Sequence, residues 1–453
     1  MQKPNQFKHK FISSIFWNSL DSIIAQVLIT AHHVMLKAFT GAEFHGIFAS
    51  YSSIIYTFIP LFNLGFDYSL SAHLKDFIQT RKSFISLLLF QFLPQLFLTG
   101  LIAHLISQPF FYNLFFTTSV TPEIAFWLKS TFLLEYARKS LRSFLQLMFY
   151  THITALVEIF GTLFYMATFW ALAWLLHINP TMLLAFQLLA LSAIIQIITL
   201  LVSSIKVFWT FSSEAEKTSS NLYSAHKGIT QTRIGIWANH ITSQINYSNF
   251  MIPFSNSCFG PTQASLLSIL LNSARCIKLF FQKGLGISSL ALIAHPFDQQ
   301  STPKDVKYSY PLYYLYNLSL PLLIFFLINS SKLSYLIGDN QVVWHLTSIA
   351  CFLSIIEGAI SVYEKFYIAE KKIYLFSIIN SAGSAILFAT AYYFLIFNNL
   401  SQFFLFFFLI RVIALTLIIY LSHYIFKLSP TPFINAYILA AATLFSVIFY
   451  LLF

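Results

Sequence analysis

The chain has 453 residues, 57% of them hydrophobic and only 9% charged, with a formal net charge of +11. Soluble domains carry roughly 25% charged residues, so composition excludes an ordinary soluble protein and predicts a polytopic membrane protein. The basic residues fall in short clusters between apolar runs rather than on one surface patch, which argues against nucleic acid as a partner. Three cysteines, Cys258, Cys276 and Cys351, form no CxxC pair and read as small buried hydrophobes.

The N-terminus, MQKPNQFKHK, is basic and leads into an apolar run from Phe11 to about Leu36. That run is too long for the core of a signal peptide and shows no cleavage pattern, so it reads as a retained first span. A spanning helix needs about 20 mostly apolar residues. Segments of that kind lie at about 11–36, 46–71, 83–106, 123–148, 153–177, 181–208, 233–256, 262–292, 307–328, 341–366, 372–397, 401–426 and 433–453. The eighth exceeds one bilayer crossing, and its inner end, Lys283 to Ala294, is expected to lie along the cytosolic surface. The fold class is therefore all-α, with about 13 spans.

Lysine and arginine placement sets the orientation. With the N-terminus in the cytoplasm of a cell bounded by this inner membrane, Lys3, Lys8, Lys10, Lys75, Arg81 and Lys82 are inside. So are Arg138, Lys139, Arg142, Lys206, Lys217, Lys227, Arg233, Lys278, Lys283, Lys304, Lys307, Lys365, Lys371, Lys372 and Lys427. Only Lys37, Lys129 and Lys332 fall on the outer side, while Arg275 and Arg411 sit at membrane depth. One missed span would have inverted this pattern partway along the chain.

The longest inner connection, Thr210 to Arg233, is Ser/Thr-rich with charges of both signs, a linker composition. It divides the chain into a six-span lobe at 1–209, a cytoplasmic linker at 210–232, a second six-span lobe at 233–428 and an extra C-terminal span at 429–453. The lobes carry hints of a parallel repeat. Trp17 corresponds to Trp237, and Gly41 in FTGAEFHG corresponds to Gly260 in CFGPTQAS.

Ionisable groups at membrane depth are costly and usually face protein or a wet cavity. Asp21 lies in the first span, where Asn18, Ala25 and His32 share one helical face; this stripe should face protein or water. The seventh span, WANHITSQINYSN, is polar almost all round, with Trp237, His240, Gln244 and Tyr247 on one face. In the fourth, Glu135, Arg138, Lys139 and Arg142 form a charged stripe at i, i+3, i+4, i+7 spacing. It is either an internal ion-pair set that anchors the helix or the basic wall of an aqueous cavity. Arg275 and Arg411 are the sharpest candidates for anion binding, since guanidinium holds phosphate bidentately. The competing role is an ion pair with Asp21, Asp67 or Glu357. Asp67 stands at the cytosolic end of the second span, and Glu158 and Glu364 read as wet inner-end residues.

The second-span region GAEFHGIFASYSSIIYTFIPLFNLGFDYSLSAHL resembles that of the polysaccharide-biosynthesis flippases of the MOP superfamily. The residues that carry the likeness are Gly41, Gly46, Ile47, Phe48, Leu64, Gly65, Phe66 and Asp67. Asn18 and Gln26, the two six-span halves and the Pro-containing connection His295 to Asp305 also fit. His45 departs from the family, which usually has Tyr there, and relatives commonly have twelve or fourteen spans. The resemblance implies passage of a lipid-linked oligosaccharide from the inner to the outer leaflet, with two bundles rocking about a central cavity. Arg275, Arg411, Lys129, Arg138 and Arg142 would then line the substrate path, and Asp21, Asp67 or His240 would couple the cycle to an ion. Membrane lipids and the glycosyltransferases or polymerase of the same pathway are the implied partners; no cofactor or metal is implied.

Two other readings stand beside this one. A multidrug or peptidoglycan-precursor exporter would share the fold, but a drug exporter of cations calls for an acidic cavity. A membrane-embedded polymerase calls for ionisable residues on a long outer loop, which the chain lacks. No GxxxxGK[ST], HExxH or nucleophile-elbow motif occurs, so the chain is not expected to be an enzyme.

Overall fold

In a computed structural model the chain is described at residues 4–63, 65–66, 69–70, 73, 85–106, 108, 121–148, 150–175, 177–212, 222–245, 248–290, 308, 311–315, 317–319, 321, 341–370, 372–397 and 400–426. Twelve α-helices are named below: α1 Pro4–Thr40, α2 Ala42–Phe62, α3 Leu93–Ile106, α4 Pro122–Leu147, α5 Thr151–Leu175 and α6 Met182–Ser212 come first. They are followed by α7 Leu222–Ile245, α8 Ser248–Phe259, α9 Pro261–Leu279, α10 Gln341–Ala369, α11 Ile373–Phe397 and α12 Leu400–Phe426. Short π-helical stretches precede α3 at Leu88–Phe92 and follow α9 at Phe280–Ile287. No strand occurs among the described residues. Within a bilayer, a helix satisfies its own backbone hydrogen bonds, which is why long apolar segments fold this way.

Among the described residues, six helical segments are long and apolar enough to cross a membrane, among them Met182–Val207 and Thr151–Leu175. Their outward faces match that reading: Phe160 (65% exposed), Val202 (63%) and Ile198 (58%) have no protein cover. A soluble protein rarely leaves so continuous an apolar surface in water. The chain is an all-α polytopic membrane protein. Most expected spans correspond to observed helices; the seventh is divided into α7 and α8, α2 ends at Phe62 and not near 71, and most of the ninth and all of the thirteenth lie outside the described residues.

Contacts group the chain into two compact units, one of Met1–Ile23 with Leu270–Phe453 and the other of Ile24–Ile269. In the second unit, α4 packs along α6, α5 along α6, and α2 along α8. Phe132, Tyr136, Ile54 and Phe186 form part of its buried core. In the first unit, α10 packs against α12 and against the π-helical stretch after α9, and α11 packs against α12.

Two glycines set up matching entries. Gly41 (φ +89°) precedes α2 and Gly260 (φ +87°) precedes α9, both in the left-handed region that favours glycine. Each donates its N–H back to the helix before it, to the carbonyls of Lys37 (2.9 Å) and Asn256 (3.1 Å). Each then accepts from the chain beyond, from His45 N at 3.2 Å and Ala264 N at 3.2 Å. The shared geometry is what a repeat of the two halves calls for. At Gly46, an added Cβ would lie 1.9 Å from the Pro261 carbonyl oxygen, so α2 and the start of α9 touch backbone to backbone.

The expectation for the end of the eighth span is corrected. Gly284, Leu285, Ser288, Ser289 and Leu290 are buried, not spread on a surface. Gly284 permits it: a Cβ there would meet Ser19 Oγ at 2.3 Å, whereas one on Gly286 would make only ordinary contacts, such as 3.7 Å to the Ser361 carbonyl of α10. The π-helical stretch carries this segment on into the first unit.

Gly41→Ala and Gly260→Ala should each destabilise the protein by about 1–3 kcal/mol, because Ala resists positive φ. Gly100→Ala, whose Cβ would find only Leu133 Cδ2 at 3.9 Å, should be neutral or mildly stabilising. Thermal unfolding in detergent checks the contrast.

Candidate functional site

In the first unit, the polar stripe of α1 is buried as expected, with Asn18 1% and Asp21 0% exposed. Ser14 Oγ lies 3.0 Å from Ser288 Oγ, and Asn18 Nδ2 donates to both hydroxyls at 3.4 Å. The Asp21 carboxylate stands 3.8 Å from Lys283 Nζ. Buried polar groups of this kind are held by partners because leaving them unmet costs about 1–3 kcal/mol each.

The charges deeper in this unit form a set that the sequence showed only in part. Lys278 on α9 pairs with Glu357 on α10 at 2.6 Å, both buried. Glu364, expected to be wet, is buried instead and accepts from Lys365 Nζ at 2.9 Å. Burial of Glu364 is possible because its neighbour in sequence supplies the counter-charge. Arg411 on α12 is only 2% exposed. It has no ion pair or hydrogen bond among the described residues, and its Nε meets no acceptor. Arg275 on α9 is half-buried. Both arginines lie close enough to Lys278 for their charges to bear on it. Glu357 meets Lys278 through Oε2, while its Oε1 has no hydrogen-bond partner among the described residues, and Arg411 is a buried guanidinium beside this pair. Such a charge costs several kcal/mol unless a further anion meets it.

The second unit holds a different charge cluster. Arg138 donates to Glu135 at 2.6 Å, to Gln196 Oε1 at 3.0 Å and to Glu158. Arg142 reaches the same Glu158 at 2.7 Å. Gln196 in turn donates to Ser192 Oγ at 3.0 Å, and Ser192 donates to the Gly161 carbonyl at 2.8 Å. Gly161 has no side chain because one would collide with Gln196, at 2.0 Å from Nε2. Two guanidinium groups therefore meet two carboxylates in a network across α4, α5 and α6. Glu158, read as a wet residue, is the shared acceptor. This arrangement matches the ion-pair alternative for the charged stripe.

The remaining expected positions are more scattered. Lys129, on α4 in the second unit, sits with its Nζ 6.0 Å from the Phe126 ring. His240 on α7 is buried, while Trp237 on the same helix is 38% exposed. Asp67, Tyr247 and the side chain of Gln244 lie outside the described residues. One contact set lacked a clear sequence signal: Arg233, near the start of the seventh span, donates to Gln91 Oε1 at 2.7 Å and to Gln95, and stacks 5.5 Å from the Phe66 ring. Beside it, Gln91 Nε2 donates to His226 Nδ1 (3.3 Å), so His226 Nε2–H donates to Ser86 Oγ (2.5 Å). Burial lowers the pKa of that imidazole from 6.5, which keeps this neutral tautomer at pH 7.

Glu158→Gln should destabilise the protein by about 3 kcal/mol, since it removes the carboxylate that two buried guanidinium groups share, while Arg138 keeps Glu135. Lys129→Gln, at a site without an ion pair among the described residues, should change stability by less than about 0.5 kcal/mol. Unfolding of the purified variants measures both.

No protein-family model and no curated protein matches the sequence. Solved structures do match in fold. A eukaryotic MATE transporter, AtDTX14, aligns over 96% of this chain and 99% of its own at 14% identity, with a TM-score of 0.67. A multidrug resistance MATE transporter of the MOP superfamily, solved facing outward, aligns over 92% and 96% at 11% identity, with a TM-score of 0.66. A MOP superfamily transporter from Pyrococcus furiosus, described as having a binding pocket of reverse polarity, aligns over 92% and 96% at 11% identity, with a TM-score of 0.59. Helix order, length and packing thus place this chain in the fold shared by MATE transporters of the MOP superfamily.

Proposed function

We propose that the protein is a membrane transporter that moves an anionic, lipid-linked oligosaccharide from the inner to the outer leaflet by alternating access. The observation that carries the reading is Arg411. A guanidinium 2% exposed, beside a lysine already paired with Glu357 at 2.6 Å, suits an incoming phosphate. Guanidinium binds phosphate through two parallel N–H donors, and a low-dielectric surrounding strengthens each one. The sugar-pyrophosphate head would meet Arg411 and Arg275, while the lipid tail stays in the bilayer. The fold supports the cycle, and the resemblance at residues 41–67 supports this class of cargo.

The same proposal assigns the N-terminus to the cytoplasm and the protein to the inner membrane. It also assigns lobes at 1–209 and 233–428, a linker at 210–232 and a further span at 429–453. Glycosyltransferases or a polymerase acting on the same lipid-linked sugar would be its partners in the pathway.

A second reading, export of cationic drugs, is favoured by the multidrug transporter among the structural neighbours. Arg411 opposes it, because a buried cation repels a cationic cargo. One neighbour of this fold is itself described by a reversed pocket polarity, so the fold accommodates both signs of site.

Reconstituted vesicles separate the two. A fluorescent lipid-linked sugar pyrophosphate should reach the outer leaflet in a protein-dependent way, and Arg411→Gln should slow it by about 10- to 100-fold, the cost of one charge-assisted hydrogen-bonded contact. Transport of a cationic dye with no movement of the pyrophosphate lipid would reverse the assignment.

A further inference from the structure

Two buried polar atoms of the second unit stand side by side where α1, α2 and α5 meet, and none of the roles above uses them. His32 on α1 is 3% exposed and Trp170 on α5 is 6% exposed. Their ring centroids lie 5.8 Å apart at an interplanar angle of 67°. Neither Nδ1 of His32 nor Nε1 of Trp170 has a hydrogen-bond partner among the described residues. A buried polar atom left unmet costs about 1–3 kcal/mol. Two of them on neighbouring rings call for a partner from outside the chain.

Hydrogen-bond bookkeeping fixes the chemistry of that partner. Tyr165 OH on α5 lies 3.1 Å from His32 Nε2. A buried phenol needs an acceptor for its proton, so Tyr165 donates to Nε2. The imidazole then carries its own proton on Nδ1. The indole nitrogen is a donor only. Both unmet atoms are therefore N–H donors, and what they call for is an acceptor.

The surrounding rings decide which acceptor. Phe48, Tyr165 and Phe169 pack around His32 with centroids at 6.2, 5.2 and 5.1 Å. Phe39 and Phe169 stand edge-on to Trp170 at 6.0 and 5.3 Å, and Trp174 lies 5.1 Å away at a tilt of 34°. Aromatic faces carry partial negative charge. They disfavour an anion and favour the C–H groups of a sugar or another apolar surface. A neutral oxygen fits such a place, in the form of a hydroxyl or a water.

The cluster also reaches the protein surface. His32 stands eight residues before the end of α1 at Thr40, and Trp170 five before the end of α5 at Leu175. These steps are about 12 and 7–8 Å along the two axes. Phe39 and Trp174, nearer those ends, are 54% and 52% exposed. Aromatic rings thus run from an exposed rim down to the two buried donors.

We propose that Trp170 Nε1–H and His32 Nδ1–H form a subsite for a neutral hydroxyl oxygen, supplied by a water in the cargo-free protein and by a sugar hydroxyl of the cargo in the loaded one. Buried waters of this kind meet polar groups that the chain leaves unpaired. A sugar hydroxyl that takes the place of the water keeps both hydrogen bonds, so the exchange costs little. Phe39 and Trp174 offer their exposed rings to the sugar's C–H groups. The hydroxyl site stands on hydrogen bonding alone. Its use by cargo rests on the transport reading and adds to it that the sugar is recognised as well as the phosphate.

Two experiments test this. In the first, the full chain is 15N-labelled at its seven tryptophans in nanodiscs. The Trp170 indole signal is assigned by its loss in Trp170→Phe, or by its shift in His32→Leu. The subsite predicts a cross-peak from that N–H to a long-lived water, at the downfield position of a hydrogen-bonded indole. An upfield signal with no transfer from water shows an N–H aimed at a ring face and overturns the site. A lipid-linked sugar pyrophosphate should replace the water cross-peak with one to sugar protons, whereas the same lipid pyrophosphate without its sugar should not. Water that stays in place with both lipids overturns the sugar subsite.

In the second, vesicles hold the sugar-bearing and the sugar-free lipid in competition. Trp170→Phe and His32→Leu should each lower the preference for the sugar-bearing lipid by about 5- to 10-fold, the worth of one neutral hydrogen bond. Arg411→Gln should slow both lipids and keep their ratio. A preference unchanged in the folded variants overturns the sugar subsite. A wild type that moves neither lipid counts against the transport reading, and the first experiment still decides the hydroxyl site.

Discussion

A charge placed at the depth of the hydrocarbon core has no bulk water to face, so it must be met by protein or by a ligand. That constraint organises this molecule. In the second unit it is met internally, as Arg138 and Arg142 share Glu158 and Arg138 also holds Glu135. In the first unit, Lys283 is met by Asp21, Lys278 by Glu357 and Lys365 by Glu364. Arg411 stands apart from these pairs, buried with an Nε that meets no acceptor. Stability alone gives no reason to keep a guanidinium there, whereas binding an anion does.

The two networks give basic residues in one chain different work. Arg138 and Arg142 hold α4, α5 and α6 together through carboxylates that stay put. Arg411 and Arg275 stand beside a lysine that Glu357 meets through one oxygen. Mutations in the first set should act on folding, and mutations in the second on cargo.

Much of the fold was legible in the residues because the bilayer imposes a simple pattern. Apolar runs of spanning length, bounded by lysine and arginine, locate α4 to α6 and α10 to α12 within a few residues, and α1 to α3 more loosely. The paired glycines stood out as a repeat signal, and the structure gives their reason, a positive φ at Gly41 and Gly260 alike. The site was less legible, for a physical reason. Arg275 and Arg411 stood out because they are isolated, but Lys278 looked like an inner-loop anchor until α10 brought Glu357 to it. Glu158 and Glu364 looked wet because they lie near helix ends; packing buries Glu364 and leaves Glu158 half-buried between Arg138 and Arg142. His32 and Tyr165 are 133 residues apart, on two helices, and no periodicity within one helix connects them.

The account stands or falls on whether the charge of Arg411 is kept for a ligand rather than for folding. Unfolding temperatures of the wild type and Arg411→Met, with and without a lipid-linked sugar pyrophosphate, test this directly. Removing a buried charge that lacks an ion-pair partner among the described residues should raise the unfolding temperature of the ligand-free protein, and the substitution should erase the stabilisation that the ligand gives the wild type. A lower unfolding temperature for the variant, with ligand stabilisation intact, would show that Arg411 serves the scaffold and not the cargo.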